Sequence, residues 1–145
     1  MAVIRKYQPE DCEGVLAVWE SATAVAHPFL SRTFLEQERL NIATLYLPNS
    51  DTWVWEVEET ILGFMSLVGN EVGGLFVDPK SHRGGIGTAL INVARAQQPN
   101  LEVEVFTENA IGRAFYANVG FELMYCKIEA ETGFEVMRLR LTKNA

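Results

Sequence analysis

The first 48 residues change from a weakly alternating pattern of hydrophobic positions to a helical one. Residues 2–7 alternate weakly between apolar and polar side chains, which predicts a first strand. Over residues 9–24, apolar side chains recur at intervals of three and four, which predicts an amphipathic helix. A break at residues 27–30 separates this helix from a second one, which Ser31 is placed to cap and which runs towards Pro48.

The remainder of the chain is predicted to alternate between strands and helices. Residues 52–58 and 61–68 are rich in aromatic and β-branched side chains around a short polar turn, which predicts a hairpin. A strand at residues 72–77 stops at Asp78-Pro79, and a glycine-rich loop then leads into a helix from Thr88. The later pattern predicts a strand at 101–106, a helix at 111–119 and a closing pair of strands at 121–129 and 134–141. This order is typical of an α+β domain with a mixed sheet.

Composition and charge narrow the classes of protein to which the chain can belong. Its 145 residues, of which 48% are hydrophobic and 21% charged, predict a single folded domain over residues 1–145. The formal net charge of −7 repels the phosphate backbone of nucleic acids, so no nucleic-acid partner is expected. The same charge suits a cationic substrate such as an amine, but acidity is also how many soluble proteins avoid association.

Neither export nor membrane insertion is predicted from the apolar segments. Residues 1–14 carry charges and a proline where a signal peptide needs an apolar stretch. The longest apolar-rich run, residues 61–68, is far shorter than the roughly 20 residues that cross a bilayer. Cys12 and Cys126 lack the spacing and the accompanying histidines of a zinc site, so we expect free thiols, no metal and a cytoplasmic protein.

The loop between the strand at 72–77 and the next helix carries the most informative chemistry. Gly84, Gly85 and Gly87 let the backbone approach a ligand closely, and the first helical turn offers unpaired N–H groups. Such a turn binds anions, typically a phosphate or diphosphate. A Walker loop would continue with Lys and then Ser or Thr, but Thr88-Ala89 follow here. A dinucleotide fingerprint needs a third glycine three residues after Gly87, where the chain has a leucine.

Two motifs lie on either side of the predicted strand at 101–106. The first is His82-Arg83-Gly84-Gly85-Ile86-Gly87, which follows Phe76-Val77-Asp78-Pro79. The second is Asn109, followed at fixed distances by Phe115-Tyr116 and by Gly120-Phe121. Together they resemble the signatures of the GNAT superfamily of acyl-CoA-dependent N-acetyltransferases, with a histidine at position 82 where Gln or Arg is usual. The resemblance covers nearly the whole chain and implies a central twisted mixed sheet of six or seven strands flanked by about four helices.

The resemblance implies an enzyme that transfers an acetyl group from acetyl-CoA to a primary amine. The amine would belong to a small molecule or a peptide, and transfer would be direct, within a ternary complex. In that family the pantetheine arm pairs with a strand like an added strand, and the diphosphate lies on the glycine loop. The residues that the resemblance assigns to the cofactor are Phe76, Val77, His82, Arg83, Gly84, Gly85, Gly87, Thr88, Asn109 and Phe115.

The same resemblance suggests catalytic roles. Tyr116 is expected to protonate the departing thiolate, since it matches the family tyrosine beside the cofactor sulfur. Glu71 matches a glutamate that accepts the amine proton in protein-modifying members, while Glu104, on the polar side of the next strand, is its rival. His27 is a further candidate, because the pKa of a histidine suits proton transfer near neutral pH. His27, Phe29 and Glu104 are expected to contact the amine substrate.

Other interpretations remain open from the sequence. A non-catalytic acyl-CoA-binding sensor would keep the glycine loop without the chemistry, and a structural module would use the glycines only to make a tight turn. A homodimer through Met124, Tyr125 and Met137 on the terminal strands is also open, since these side chains can equally pack inward.

Overall fold

The fold is a seven-stranded mixed sheet with four α-helices, described here for residues 1–82 and 84–143 of a computed structural model. The contact expected of Arg83 therefore lies outside the described residues. The strands are β1 (Ala2–Lys6), β2 (Asp51–Val57), β3 (Thr60–Val68), β4 (Glu71–Val77), β5 (Leu101–Phe106), β6 (Glu122–Ile128) and β7 (Glu135–Leu141). The helices are α1 (Cys12–Ala26), α2 (Arg32–Asn41), α3 (Ile86–Gln97) and α4 (Ala110–Val119). The predicted order of elements and the predicted fold class are confirmed.

The largest departure from the predicted boundaries is at the second helix. After α2, residues Ile42–Tyr46 form a wider π-helical turn, and Leu47–Asn49 form a 3-10 turn that contains Pro48. Proline has no N–H group to donate to the preceding turn, so a regular helix does not continue through it. The helix after the glycine loop begins at Ile86, earlier than predicted, which places Gly87 in its first turn.

One pair of strands in the sheet is parallel and separates soon after it begins. The strand order is β1-β2-β3-β4-β5-β7-β6, and all neighbours are antiparallel except β4 and β5. These two strands pair only at Glu71 with Glu102 and at Val72 with Val103. Beyond Val72 the two strands diverge, and a cleft opens between them.

A β-bulge lies at the point where β4 leaves β5. Ser66 of β3 pairs with Gly74, whereas the next residue, Leu67, pairs with Val72, so Gly73 is an extra residue in β4. A bulge bends its strand and strengthens the local twist. The bend at Gly73 therefore turns β4 away from β5 while its pairing with β3 continues to Val77.

Two hydrophobic cores pack on opposite faces of the sheet. Because side chains alternate along a strand, Phe64 and Met65 of β3 point to opposite faces. The core on the face covered by α1 includes Val15, Leu16, Trp19, Val54 and Phe64. The core on the face covered by α3 includes Met65, Leu90, Ile91, Leu101 and Val103. Each face of the sheet is therefore covered by one long helix, and the cleft lies at the edge of both cores.

The exposed edge of the sheet carries residues through which a homodimer is expected from the sequence. β6 is an edge strand whose residues are all exposed, Met124 and Tyr125 among them, whereas Met137 on β7 is half-buried. A homodimer through these residues stays a prediction. Among the helices of the described chain, none combines the length and the apolar character needed to cross a bilayer.

Candidate active site

The cleft between β4 and β5 has a volume of about 820 Å³. This volume lies within the range of roughly 300–1,000 Å³ found for sites that bind small molecules and cofactors. Its walls are the diverging strands, the last turn of α1, the first turn of α3 and one side of α4. Several segments that the sequence predicts to be functional therefore meet in one cavity.

The edge of β4 that faces the cleft has unused backbone groups. Asp78 N–H donates to the carbonyl oxygen of Leu62 in the direction of β3, at 2.8 Å. Since successive backbone groups point to opposite sides of a strand, the N–H groups of Leu75 and Val77 point towards the cleft. Among the described strands, none pairs with this edge beyond Val72. An extended ligand with amide groups can pair with it as an added strand.

The first turn of α3 forms the other end of the cleft. Gly85 begins the helix with a φ of +78°, a left-handed conformation that glycine adopts without strain. The N–H groups of residues 86–88 have no backbone partner or side-chain cap within the described residues, whereas Gly84 N–H donates to Ser81 at 3.3 Å. Gly85 and residues 86–88 line the cleft. Open N–H groups at the positive end of a helix make a site for an anion such as a diphosphate.

Two side chains fix the position of this helix end. A Cβ atom at Gly87 would lie 2.9 Å from the ring of Phe115, so glycine is needed for α4 to pack this closely. His82 lines the cleft, and its Nε2 lies 3.2 Å from the carbonyl oxygen of Val77, to which it donates when protonated there. His82 therefore ties the glycine loop back to the end of β4.

Tyr116 of α4 lies in the wall of the cleft with 7% of its surface exposed. Its ring packs edge-to-face against Phe115 and Phe121, each at 5.2 Å between ring centres. Burial raises the pKa of the phenol above its usual range, because the charged form would lose hydration. Tyr116 therefore stays a neutral hydrogen-bond and proton donor at physiological pH.

A hydrogen bond between His27 and Asn109 joins the end of α1 to the start of α4. Asn109 Oδ1 accepts the N–H of Gly112 at 2.8 Å and caps α4, which leaves Asn109 Nδ2 to donate to His27 Nε2 at 3.1 Å. The His27 proton is therefore assigned to Nδ1. Burial lowers the pKa of His27 to about 4. His27 and Asn109 both line the cleft, but His27 is poorly suited to accept a proton from the substrate.

Replacing His27 by Gln is expected to reduce the loss of stability that the protein suffers in mild acid. The unfolded chain protonates this histidine near pH 6.5, whereas the folded chain protonates it near pH 4, so a falling pH favours unfolding between these values. The wild type should lose about 2 kcal/mol from this source by pH 5, measured by urea unfolding at pH 7 and pH 5. His82→Gln, at the exposed histidine, is the control and should keep the full loss. An equal loss in His27→Gln and the wild type would contradict the assigned state of His27.

Next to His27 is an aromatic wall, a cluster of rings that lies outside the residues lining the cleft. Phe29 packs edge-to-face against Phe106 at 5.4 Å and against Phe134 at 4.9 Å between ring centres. Phe29 was expected near the substrate from the sequence, but Phe106 and Phe134 were not. Phe106 could have been identified from its place in β5, because it lies on the same side of the strand as Glu104.

Three glutamates surround one arginine beside the cleft. They lie on the same side of the sheet as α1, over strands that this helix does not cover. The guanidinium of Arg138 lies 2.9 Å from Glu71, 2.8 Å from Glu102 and 3.3 Å from Glu104. Lys127 Nζ lies 3.0 Å from Glu104 Oε2. Of the three carboxylates only Glu104 lines the cleft, and Glu71, the base expected from the resemblance, is 40% exposed outside it. Arg138 and Lys127 were not predicted from the sequence.

Comparison with known proteins places this geometry in a family. A family model for the acetyltransferase (GNAT) domain matches residues 48–123, the segment that carries the glycine loop, Glu104 and Tyr116. This chain belongs to the GNAT acetyltransferase family. Over residues 1–82 and 84–143, no group of three or more His, Cys, Asp or Glu side chains is arranged to hold a metal ion.

Relatives of this GNAT acetyltransferase cover most of its length. It is 33% identical to the peptidyl-lysine N-acetyltransferase YiaC of Escherichia coli over 131 residues, and this segment covers 90% of each chain. It is 31% identical over 124 residues to the peptidyl-lysine N-acetyltransferase YjaB of Salmonella typhimurium, 85% of each chain. The solution structure of apo YjaB from Escherichia coli superposes with a TM-score of 0.85 at 26% identity over 97% of both chains. The predicted family, the enzyme class and, at the level of the family, the use of acetyl-CoA are confirmed.

Proposed function

We propose that this enzyme transfers the acetyl group of acetyl-CoA to the side-chain amine of a lysine in a peptide or protein. The observation that carries the proposal is the single cleft in which the open edge of β4, the first turn of α3, Tyr116 and Glu104 meet. The choice of lysine as acceptor is supported by the names of two relatives, each at least 31% identical, as peptidyl-lysine N-acetyltransferases.

The cofactor end of the cleft suits acetyl-CoA in three ways. The open N–H groups of residues 86–88 would hold the diphosphate. The pantetheine amides would pair with the free edge of β4 at Leu75. The acetyl thioester would then lie towards Tyr116, which is on the α4 wall of the same cleft.

The opposite side of the cleft suits an ammonium group. Three carboxylates face two cations around Arg138, which leaves an excess of one negative charge beside the aromatic wall. Such a charge attracts a lysine side chain, whose long apolar stem can lie along Phe29 and Phe106. The positively charged amine would therefore meet Glu104 on entering the cleft.

Transfer requires the ammonium to lose two protons and the thiolate to gain one. Glu104 takes the proton from the ammonium, directly or through a water molecule, and the neutral amine attacks the thioester carbonyl carbon. The C–N bond forms and the C–S bond breaks, with the Val77 N–H placed to donate to the carbonyl oxygen as it becomes negative. Tyr116 donates its proton to the departing thiolate. The nitrogen, now bonded to the acetyl carbon, releases its second proton to solvent, and solvent returns a proton to Tyr116.

We assign the proton acceptor to Glu104 and not to Glu71. Both carboxylates contact Arg138, but of the two only Glu104 lines the cleft, as Tyr116 also does. A general base has to lie within hydrogen-bond reach of the proton that it takes, directly or through one water molecule. Glu71 is at the paired start of β4, before the two strands diverge.

Acetyl-CoA is expected to stabilise the folded protein, and Gly85→Ala is expected to weaken that effect. A ligand present at about 100 times its Kd raises the free energy of unfolding by about 2.7 kcal/mol. A methyl group at Gly85 would strain a residue with φ of +78° and would project into the space in which we place the diphosphate. The Kd for acetyl-CoA should rise about tenfold, or about 1.4 kcal/mol, as measured by thermal shift across a titration.

Gly133→Ala is the matched control for this measurement. Gly133 has φ of +77° and, like Gly85, has open space where a Cβ would lie, but it is in the turn between β6 and β7. Both variants should lose similar intrinsic stability, and only Gly85→Ala should lose affinity for acetyl-CoA. Equal affinity in the two variants would place the diphosphate elsewhere.

The acceptor class is tested by measuring thiol release with acetyl-CoA and two matched peptides. One peptide has a blocked N-terminus and one internal lysine, and the other has a free N-terminus and arginine in place of that lysine. Thiol release and one added acetyl group are expected only with the lysine peptide. Reaction only with the second peptide would assign the enzyme to N-terminal amines, and acetyl-CoA binding without thiol release for any amine would favour a sensor.

A further inference from the structure

One lysine of the protein already contacts the carboxylate that we propose as the proton acceptor. Lys127 Nζ lies 3.0 Å from Glu104 Oε2, and Glu104 is the carboxylate that lines the cleft. Lys127 is on the edge strand β6, whereas Glu104 is on β5, and β7 lies between the two strands. The two side chains therefore span two strand spacings, about 9–10 Å, and meet beside the cleft, which Glu104 lines and Lys127 does not.

Stability alone does not account for this contact. The side chain of Lys127 is 49% exposed, and an exposed ion pair contributes little to folding because water screens it. Glu104 also has Arg138 as a partner at 3.3 Å, so it is not left unpaired without Lys127. What the contact does achieve is to hold a primary amine against the group that we propose as the proton acceptor.

We propose that Lys127 is a self-acetylation site, modified by the same molecule that binds the acetyl-CoA. This inference rests on the proposed function of the cleft. Glu104 takes a proton from the Lys127 ammonium, and the neutral Nζ attacks the thioester carbonyl carbon of acetyl-CoA. The C–N bond forms, the C–S bond breaks, and the thiolate leaves as coenzyme A after taking a proton from Tyr116. The nitrogen releases its second proton to solvent, which leaves a neutral amide, and solvent returns a proton to Tyr116.

Acetylation would change the charge at the acceptor end of the cleft. The amide that forms has no positive charge, so its ion pair with Glu104 is lost. Glu104 would then keep only Arg138 as a charged partner. The modified protein would present a more negative surface to an incoming peptide lysine.

The test is to incubate the full chain with acetyl-CoA and no other amine, and to map acetylation over its four lysines by mass spectrometry. The result expected is one acetyl group on Lys127, with a first-order rate that does not change with protein concentration. Lys127→Arg should remove the modification, and Lys143→Arg should leave it in place. Tyr116→Phe should slow it at least tenfold, which separates enzymatic transfer from direct chemical acetylation.

Three results would overturn the inference. They are acetyl groups spread over Lys6, Lys80 and Lys143 as readily as over Lys127, a rate that rises with protein concentration, and an unmodified Lys127. If Lys127 stays unmodified in a preparation that acetylates the lysine peptide, only this inference fails. If neither Lys127 nor the lysine of the peptide is acetylated, the proposed function fails as well.

Discussion

Replacing Tyr116 by Phe is expected to lower kcat with a lysine peptide by about 10²-fold or more, with little change in the Kd for acetyl-CoA. General acid catalysis typically contributes about 10²- to 10⁴-fold, and this substitution removes the donor. The phenol is buried in the cleft wall and its pKa is raised, so it stays protonated at physiological pH and can act as an acid. Steady-state thiol release and a separate binding titration measure the two quantities.

The packing of the site means that this substitution should remove the hydroxyl group without moving the ring. The ring of Tyr116 stays between Phe115 and Phe121 when only the hydroxyl group is removed. Tyr46→Phe is the matched control, because it removes one hydroxyl group from a tyrosine that is 40% exposed and outside the cleft. Its kcat should equal that of the wild type. An unchanged kcat in Tyr116→Phe would remove the general acid from the proposed mechanism.

Replacing Glu104 by Gln is expected to lower kcat by about 10²-fold and to raise the KM for the peptide. Gln has nearly the same shape but cannot take the proton, and it cannot balance the charge of an incoming ammonium group. Glu104→Gln also loses its ion pairs with Lys127 and Arg138, so the effect of those contacts has to be measured separately.

Glu102→Gln and Glu71→Gln supply that comparison. Each removes one carboxylate from the same Arg138, and Glu102 lies on the same strand and face as Glu104. Neither residue lines the cleft, so both variants should stay within about threefold of the wild-type kcat, a change below 1 kcal/mol. A large loss in Glu71→Gln with normal activity in Glu104→Gln would return the base to Glu71.

The order of elements and the turn that begins α3 could be predicted from the sequence because their signals are local. The three glycines between a strand and a helix lie within six residues, 82–87, and predict an anion-binding turn. The periodicity of the apolar side chains separates strands from helices over most of the chain. By contrast, the π-helical turn at Ile42–Tyr46 has apolar spacing that also fits an α-helix.

The acceptor end could not be predicted in the same way because its contacts join distant parts of the chain. His27 and Asn109 are 82 residues apart and meet only because α1 and α4 both border the cleft. Arg138 meets Glu71 across 67 residues, and that contact depends on the strand order β4-β5-β7. The choice between Glu71 and Glu104 depends on where β4 separates from β5, and the sequence around Gly73 does not show that point.

The structure of the protein bound to coenzyme A tests the central claim most directly. We expect the diphosphate within hydrogen-bond distance of the N–H groups of residues 86–88, and the pantetheine amides paired with Leu75. The sulfur atom should lie beside the hydroxyl group of Tyr116, on the side of the cleft that faces Glu104. Coenzyme A bound outside this cleft, or with its sulfur remote from Tyr116, would contradict the account.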